Sequence, residues 1–314
     1  MAIKVEYKDF LSSQKATNIV YTRWIDDKQK PRAILLIAHG MAEYIGRYDD
    51  FARYMVTKGY AVYGNDHLGH GKTAGQPESA GYFAPKDGRY HVVDDMRSLC
   101  QTARADFAGL PVVLLGHSMG SFVTRVFCAR YSKDIDAAII MGTSGRNPAA
   151  GAGIALVNII SLFKGEKHRS AFVDKIAFGA NNKKYENPRT NFDWLNTDEA
   201  EVQKYIDDEM CGYLFTLSGY RELFKILSEA TKKGWPDSIR KDLPVLVISG
   251  SEDPVGGFGK GVQQTFDDLH AAGMENVAIL LYDGMRHEIL NEKDKQSVYE
   301  DIVEWCDAAI SPQE

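Results

Sequence analysis

The chain has 314 residues, 44% of them hydrophobic and 25% charged, the balance of a globular protein that can bury a core without metal or disulfide staples. Its net charge of -6 lacks the basic excess of a nucleic-acid-binding protein. No uncharged apolar stretch approaches the roughly 18 residues that a membrane-spanning helix needs.

In chain order, apolar or alternating runs predict strands at 5–7, 18–24, 33–38, 60–64, 111–116, 137–141, 245–249 and 277–282. Helical spacing predicts intervening helices around 47–58, 90–107, 121–131 and 293–309. The run at 33–38 is continuously apolar, which is typical of a strand covered on both faces. Buried strands that alternate with helices predict an α/β fold, with a mostly parallel central sheet and helices on both of its faces.

The stretch from Arg146 to Gly212 breaks this rhythm. It opens with an apolar segment rich in glycine and alanine, continues through polar and aromatic sequence, and lacks an apolar run with strand spacing. We therefore predict a core formed by residues 1–145 and 213–314, with residues 146–212 inserted over the sheet.

The sharpest chemical signal is the pentapeptide Gly116-His117-Ser118-Met119-Gly120, which lies directly between a buried strand and a helix. A GxSxG in this position places the serine at the apex of a strained turn, where the glycines remove Cβ atoms that would clash. The turn projects the serine hydroxyl away from the sheet and directs the N–H of Met119 towards a developing oxyanion. The motif predicts Ser118 as a nucleophile, and the alternative is a glycine-rich turn with a solvated serine.

A nucleophilic serine needs a general base and an acid that orients the base, and in this arrangement both follow the serine along the chain. A late strand runs into Glu252 and Asp253. We favour Asp253, which stands before a proline in the turn, and keep Glu252 as the alternative. The last strand runs into a loop that contains His287. Three elements in the expected order predict a triad of Ser118, Asp253 and His287.

A second oxyanion donor is expected in the loop after the strand at 33–38. The backbone N–H of Met41 is the candidate, and Gly40 would let the chain approach the substrate closely. His39 precedes them, and we assign it a structural role beneath the loop. Residues 69–73 lack the first glycine of a phosphate-binding loop, and no set of His, Cys and carboxylates has metal-site spacing. We expect neither a metal nor a cofactor.

Four strings together resemble the monoacylglycerol lipase and lysophospholipase-like serine hydrolases of the α/β-hydrolase superfamily. The segment from His39 to Tyr48 resembles HGxxEhxxRY, and the loop from Asp66 to Gly71 resembles DxxGHG. The elbow reads GHSMG, and the acid turn resembles SGxxDPV. The resemblance covers the chain from Ile19 to Trp305.

Carried over position by position, the resemblance implies an α/β-hydrolase fold with the same nucleophile, acid and base as the chain order predicts. It implies the same two N–H donors, on Met41 and Met119, and it implies that residues 146–212 are a helical cap, or lid, that shapes an acyl pocket. Ser121 stands where a third glycine often follows the elbow. A helix tolerates serine, so we expect activity to persist.

The cap contains an apolar run at 153–163, which is either a lid helix that contacts acyl chains or a membrane surface, or a helix buried on the core. Leu156 and Ile160 in this run are candidate substrate-binding residues, together with Trp194 and Gly40. Aromatic packing is the alternative role for Trp194.

The site predicts a carboxylic ester hydrolase that cleaves monoacylglycerol-like, lysophospholipid-like or small esters through an acyl-enzyme. One triad serves several acyl groups, so an amidase, peptidase or thioesterase is the alternative, and a non-catalytic binding protein is a weaker one. The expected partner is a small ester or lipid, with transient membrane contact through the cap. The four cysteines form no CxxC pair, and residues 1–9 lack a signal-peptide core, which predicts a cytoplasmic protein.

Overall fold

The apolar runs form one eight-stranded sheet in the computed structural model, which describes residues 2–311. In chain order the strands are β1 (Ile3–Leu11), β2 (Asn18–Asp26), β3 (Ala33–Ala38), β4 (Tyr60–Asn65), β5 (Val112–His117), β6 (Ala137–Met141), β7 (Val245–Gly250) and β8 (Val277–Tyr282). Strands β3 to β7 are buried along their whole length. Helices cover both faces of these strands, which is why their sequences are continuously apolar rather than alternating.

The strands are ordered β1-β2-β4-β3-β5-β6-β7-β8 across the sheet. β2 pairs antiparallel with both β1 and β4, and the remaining neighbours pair in parallel. The register aligns Ala38 with Gly116 and Gly250 with Tyr282. Because parallel strands end at the same edge of a sheet, the loops after β3, β5, β7 and β8 meet there. These loops carry the residues to which the sequence assigns chemistry.

Ten α-helices lie within residues 2–311: α1 (Asp49–Thr57), α2 (Gly71–Ala74), α3 (Gly88–Asp106), α4 (Met119–Tyr131), α5 (Ala149–Lys164), α6 (Ala171–Phe178), α7 (Glu199–Asp207), α8 (Leu217–Thr231), α9 (Lys260–Ala271) and α10 (Lys295–Ile310). One face of the sheet is covered by α3, α4, α8 and α9, and the other by α1 and α10. Successive residues of β3 alternate between the two cores, so that Leu36 faces the first and Leu35 the second. The predicted mostly parallel sheet with helices on both faces is confirmed.

The chain between β6 and β7 forms helices α5 to α8, and no strand of the sheet lies in this part of the described chain. The apolar run predicted to be a lid or a buried helix becomes α5, which packs against α8. Burial is partial, since Val157 is fully buried while Leu162 is 83% exposed and Phe163 81% exposed. Among residues 2–311, no helix combines the length and the apolar character needed to span a bilayer.

Candidate active site

Ser118 lies on a strained turn between β5 and α4. Its backbone has φ 53° and ψ -118°, a conformation that residues other than glycine rarely adopt. Two glycines make the turn possible: a Cβ on Gly116 would lie 2.1 Å from the carbonyl oxygen of Gly120, and a Cβ on Gly120 would lie 1.9 Å from that of Ala38. Ser118 is partly exposed, whereas its neighbours in sequence are buried. This geometry is that of a nucleophile elbow.

Asp253 and His287 come together after β7 and β8. Because a carboxylate only accepts, the His287 Nδ1–H donates to Asp253 Oδ2, over 2.9 Å. The carboxylate also accepts from the Ser249 hydroxyl and the Val255 N–H, each over 2.9 Å. Burial raises the pKa of Asp253, but its interaction with His287 and these hydrogen bonds outweigh burial and leave the pKa below its ordinary value. Glu252, the alternative acid, is exposed, so the structure brings Asp253 to the base.

The other imidazole nitrogen of His287, Nε2, makes no hydrogen bond to a protein group among residues 2–311, and the Ser118 hydroxyl is not bonded to it. The bond between a nucleophile and its base is often long without substrate and tightens when substrate binds. The Trp194 ring lies against the His287 ring, with centroids 5.0 Å apart. Nε2 is therefore available to accept a proton.

The loop after β3 approaches the nucleophile, since a Cβ on Gly40 would lie 3.2 Å from Ser118 Cβ. The Gly40 N–H donates to Glu43 Oε1 over 2.5 Å and is therefore already hydrogen-bonded within the protein. Met41 follows in this loop, and Met119 is the first residue of α4, where helix N–H groups lack intrahelical partners. Neither donates a backbone hydrogen bond in the described chain. Their role as oxyanion donors stays a prediction.

A buried charged network beneath this loop was not found by sequence reasoning. Arg47 Nη1 lies 2.7 Å from Glu43 Oε2 and 2.6 Å from Glu288 Oε1, and its Nη2 donates to Glu288 Oε2 over 2.8 Å. One guanidinium thus joins the Gly40 loop to the residue that follows His287. Glu43 and Arg47 stand in the family-like string, but Glu288 lies far along the chain, and no local pattern pairs them.

His117, the residue before the nucleophile, is bonded through both ring nitrogens. Its Nε2–H donates to the His287 carbonyl oxygen over 3.1 Å, and its Nδ1 lies 3.0 Å from the Tyr48 hydroxyl. Tyr48 donates its own proton to Glu43 over 2.8 Å. Burial lowers the pKa of His117, but Glu43 outweighs burial and raises the pKa above its ordinary value.

Three further histidines form a neutral cluster under the loop. His39 Nδ1–H donates to the Gly40 carbonyl oxygen over 2.8 Å, and its Nε2 accepts the His67 N–H over 3.0 Å, a structural arrangement. Burial holds the pKa of His39, His67 and His70 below the ordinary value, and that of His70 at about 3. Within residues 2–311, no group of three or more His, Cys, Asp or Glu side chains is placed to hold a metal ion.

The four candidate substrate-binding residues lie in two places. Gly40 adjoins Ser118, and Trp194 covers the His287 ring. Leu156 and Ile160 are half-buried one turn apart on α5, where Ile160 packs against the larger core. The structure brings Gly40 and Trp194 to the site, and a binding role for the two α5 residues stays a prediction.

Comparison with known proteins places the chain among serine hydrolases. The model of the family described as Serine aminopeptidase, S33 matches residues 29–294. The monoacylglycerol lipase of Mycolicibacterium smegmatis is 28% identical, over 91% of this chain and 92% of that protein. The monoglyceride lipase of Homo sapiens is 26% identical, over 91% of this chain and 86% of that protein. A crystal structure of a highly thermostable carboxyl esterase from Bacillus coagulans, in complex with glycerol, superposes with a TM-score of 0.91 and 27% identity, over 99% of both chains.

These similarities confirm the α/β-hydrolase fold and the resemblance to monoacylglycerol lipase-like serine hydrolases. The relatives and the superposed structure are named lipases and an esterase, which supports the prediction of a carboxylic ester hydrolase. The roles of individual residues and the identity of the substrate remain predictions.

Proposed function

This chain belongs to that serine aminopeptidase family, and on this premise we propose that it hydrolyses carboxylic esters of the monoacylglycerol type through Ser118, His287 and Asp253. The observation that carries the proposal is the buried hydrogen bond between Asp253 and His287, together with a strained and partly exposed serine whose neighbour His117 binds the His287 carbonyl oxygen. Strained non-glycine residues cluster at functional sites, and a carboxylate–imidazole pair is the partner that a serine nucleophile needs.

The proposed reaction begins when Ser118 Oγ attacks the ester carbonyl carbon and His287 Nε2 takes the hydroxyl proton. Asp253 holds the Nδ1–H, which keeps Nε2 free to accept, and stabilises the imidazolium that forms. The N–H groups of Met41 and Met119 bind the negative oxygen, and losing one such donor costs on the order of 100-fold or more in rate. The imidazolium then protonates the leaving alcohol, and water attacks the acyl-enzyme to release the acid.

An exposed apolar surface on the insertion favours a lipid ester. We define the cap patch as five large apolar side chains on α5 and α6, each at least 55% exposed: Ile159, Leu162, Phe163, Phe172 and Ile176. Large apolar side chains exposed on a protein exterior are candidates for an interaction site. We propose that residues 146–212 form the cap and that this patch touches a membrane surface transiently. A monoacylglycerol or lysophospholipid would enter the site from that surface.

The family description favours an aminopeptidase as the second candidate. An aminopeptidase must hold a positively charged amine, for which a carboxylate is the natural partner. The two buried carboxylates beside the proposed site, Glu43 and Glu288, are both paired with Arg47. Because the oxygens of both carboxylates already accept hydrogen bonds from Arg47, neither carboxylate is free to bind an amine, and the site suits a neutral ester better than a free amino terminus.

Replacing the nucleophile tests the proposal directly. Ser118→Ala should abolish both the hydrolysis of p-nitrophenyl butyrate and covalent labelling by a fluorophosphonate. Ser98→Ala is the matched control, because this serine lies on α3 with its hydroxyl donating to the Asp94 carbonyl oxygen, and it should change neither. A Ser118→Ala protein that stays active would refute the assignment. The rates of cleavage of an ester, a thioester and an amide that carry the same acyl chain then show which bond is preferred, and faster cleavage of the amide would favour the peptidase.

Two substitutions on the cap patch test the lipid surface. The double variant Leu162→Ser, Phe163→Ser should hydrolyse monoacylglycerol in phosphatidylcholine vesicles at least about tenfold more slowly, because a factor of ten needs only about 1.4 kcal/mol and each exposed side chain would lose up to about 2 kcal/mol of burial. Hydrolysis of soluble p-nitrophenyl butyrate should not change. Leu11→Ser, on a leucine that is 60% exposed on β1, is the control. Equal losses on both substrates would contradict a surface role.

A further inference from the structure

Residues 182–197 of the insertion, which we name the strap, lie across the loop that holds the proposed base. Glu288, directly after His287, donates its N–H to the Leu195 carbonyl oxygen over 2.8 Å. The Trp194 ring lies against the His287 ring, with centroids 5.0 Å apart. The strap therefore touches both the backbone of the base loop and the imidazole itself.

Arg286, directly before His287, holds the strap from the other side. Its Nη1 donates to the carbonyl oxygens of Asp193 and Asn196, over 2.6 and 3.1 Å. Its backbone N–H donates over 2.9 Å to Oε1 of Glu292, a buried carboxylate that also accepts from the strap end. Both residues that flank the base in sequence are thus bonded to the strap or to a group that the strap shares.

Tyr185 connects the strap to the acid loop. Its hydroxyl donates to the carbonyl oxygen of Glu252, the residue before Asp253, over 2.5 Å. The Arg286 guanidinium lies over the Tyr185 ring, 4.1 Å from its centroid, in a cation–π contact. One arginine therefore links the base loop to the side chain that reaches the acid loop.

The strap is held in shape by its own hydrogen bonds. Asn182 accepts the Trp194 N–H at Oδ1 over 2.9 Å and donates through Nδ2 to the Thr190 carbonyl oxygen over 2.7 Å. The buried Asp193 carboxylate accepts the Arg189 N–H over 2.5 Å. These bonds fix the carbonyl groups that Arg286 binds, so a contact at one end of the strap constrains the other.

We propose that Arg286 is a positioning residue that, through the strap, keeps the His287 imidazole aligned with Asp253 for proton transfer. The inference rests on the proposed function, which assigns these two residues as base and acid. A displacement of about 1 Å by a change away from the reacting atoms can cost on the order of 100-fold in rate. Arg286 binds protein carbonyl groups rather than substrate, so its loss should lower kcat and leave KM nearly unchanged.

The test compares Arg286→Met, Arg286→Lys and the control Arg53→Met, whose arginine pairs with Asp49 on α1. Arg286→Met should lower kcat for p-nitrophenyl butyrate by about 10- to 100-fold, with KM within about threefold. Arg286→Lys, which keeps a donor for the strap carbonyl groups, should recover part of this loss. The far-downfield proton resonance of the His287 Nδ1–H should weaken or broaden in Arg286→Met and stay intact in Arg53→Met.

An Arg286→Met protein with unchanged kcat and an unchanged resonance would overturn the proposal, and so would a change confined to KM. If Arg286→Met does not fold, Tyr185→Phe decides, because it removes only the hydroxyl that reaches Glu252. Its kcat should fall several-fold, and an unchanged kcat would overturn the proposal. The resonance reads the Asp253–His287 bond without any substrate. A wild-type protein that cleaves no ester would therefore refute the proposed function and leave the positioning role measurable.

Discussion

Replacing Asp253 with asparagine tests the proposed triad, because this carboxylate accepts three hydrogen bonds and donates none. Oδ2 faces the His287 Nδ1–H and the Ser249 hydroxyl, and Oδ1 faces the Val255 N–H, each at 2.9 Å. An amide has one accepting oxygen and one donating nitrogen, so asparagine cannot satisfy all three donors.

Both orientations of the amide impair the base. If the amide oxygen keeps the Val255 bond, the amide nitrogen donates to His287 Nδ1, and the imidazole proton must move to Nε2, where it blocks acceptance from Ser118. If the amide turns over, its nitrogen opposes the Val255 N–H, and a buried donor without an acceptor costs about 1–3 kcal/mol. The productive tautomer is then disfavoured by roughly 5- to 150-fold, at about 1.4 kcal/mol per factor of ten.

Loss of the negative charge adds to the tautomer effect, because the carboxylate stabilises the imidazolium in the transition state. Asp→Asn at this position of a Ser-His-Asp triad lowers kcat by about 10⁴-fold, a barrier increase of about 5 kcal/mol. The tautomer accounts for about 1–3 kcal/mol of that increase, and the missing charge accounts for the remainder. We expect a loss of this order for Asp253→Asn.

The assay is kcat for p-nitrophenyl butyrate at neutral pH, with the melting temperature as a check on folding. Glu252→Gln is the matched control, because it removes the adjacent carboxylate, which is exposed and was the alternative acid. This control should keep wild-type activity. The reasoning is refuted if folded Asp253→Asn keeps more than about a tenth of wild-type kcat, or if Glu252→Gln loses more activity than Asp253→Asn.

Two further predictions concern the elbow and the buried histidines. Gly120→Ala should abolish folding, because its Cβ would lie 1.9 Å from the Ala38 carbonyl oxygen. Gly151→Ala, which has open space around the new Cβ on α5, should instead add about 0.5–1 kcal/mol of stability. Soluble yield and melting temperature measure both effects, and a folded Gly120→Ala protein would contradict the clash. The pKa of His70 is about 3 when folded and 6.5 ordinarily, so the unfolded chain binds more protons between these values, and the stabilisation is complete above pH 6.5 and lost towards pH 3. The loss by pH 5 from this one group is roughly 2 kcal/mol. His70→Asn should reduce the difference in unfolding free energy between pH 7 and pH 5, measured in urea, by about this amount, and an unchanged difference would contradict a neutral His70.

The sheet and the ends of its strands could be predicted from sequence because burial on both faces requires uninterrupted apolar runs. The runs at 33–38 and 137–141 coincide residue for residue with the fully buried strands β3 and β6, and the run at 277–282 coincides with the edge strand β8, which is only partly buried. The strands that lead into the site also end close to residues with reactive side chains, such as Ser118 and Asp253. Short-range pattern and chain order were sufficient there, because each signal lies within a few residues of its strand.

Helices α8 and α9 and the contacts of the insertion could not be predicted in the same way. Helix α8 lies between the insertion and β7, α9 lies between β7 and β8, and neither is among the helices that the spacing predicts. The strap is bound mainly through carbonyl oxygens of Asp193, Leu195 and Asn196, and every residue carries such a group. A hydrogen bond whose acceptor is a backbone carbonyl group cannot be predicted from the pattern of side chains. The role of Arg286 could not be predicted either, since an arginine next to a histidine in sequence can serve many purposes.

The base loop is therefore held from two directions that use different chemistry. From the core, Arg47 compensates Glu288 with a buried charge, and His117 binds the His287 carbonyl oxygen. From the insertion, the strap binds the same loop through neutral carbonyl groups. Removing one partner of a buried ion pair leaves an uncompensated charge and costs about 3–5 kcal/mol, so the core attachment tolerates little change. Carbonyl acceptors themselves impose no side-chain identity, so this attachment depends on the backbone path over the loop, which the Asn182 and Asp193 side chains fix.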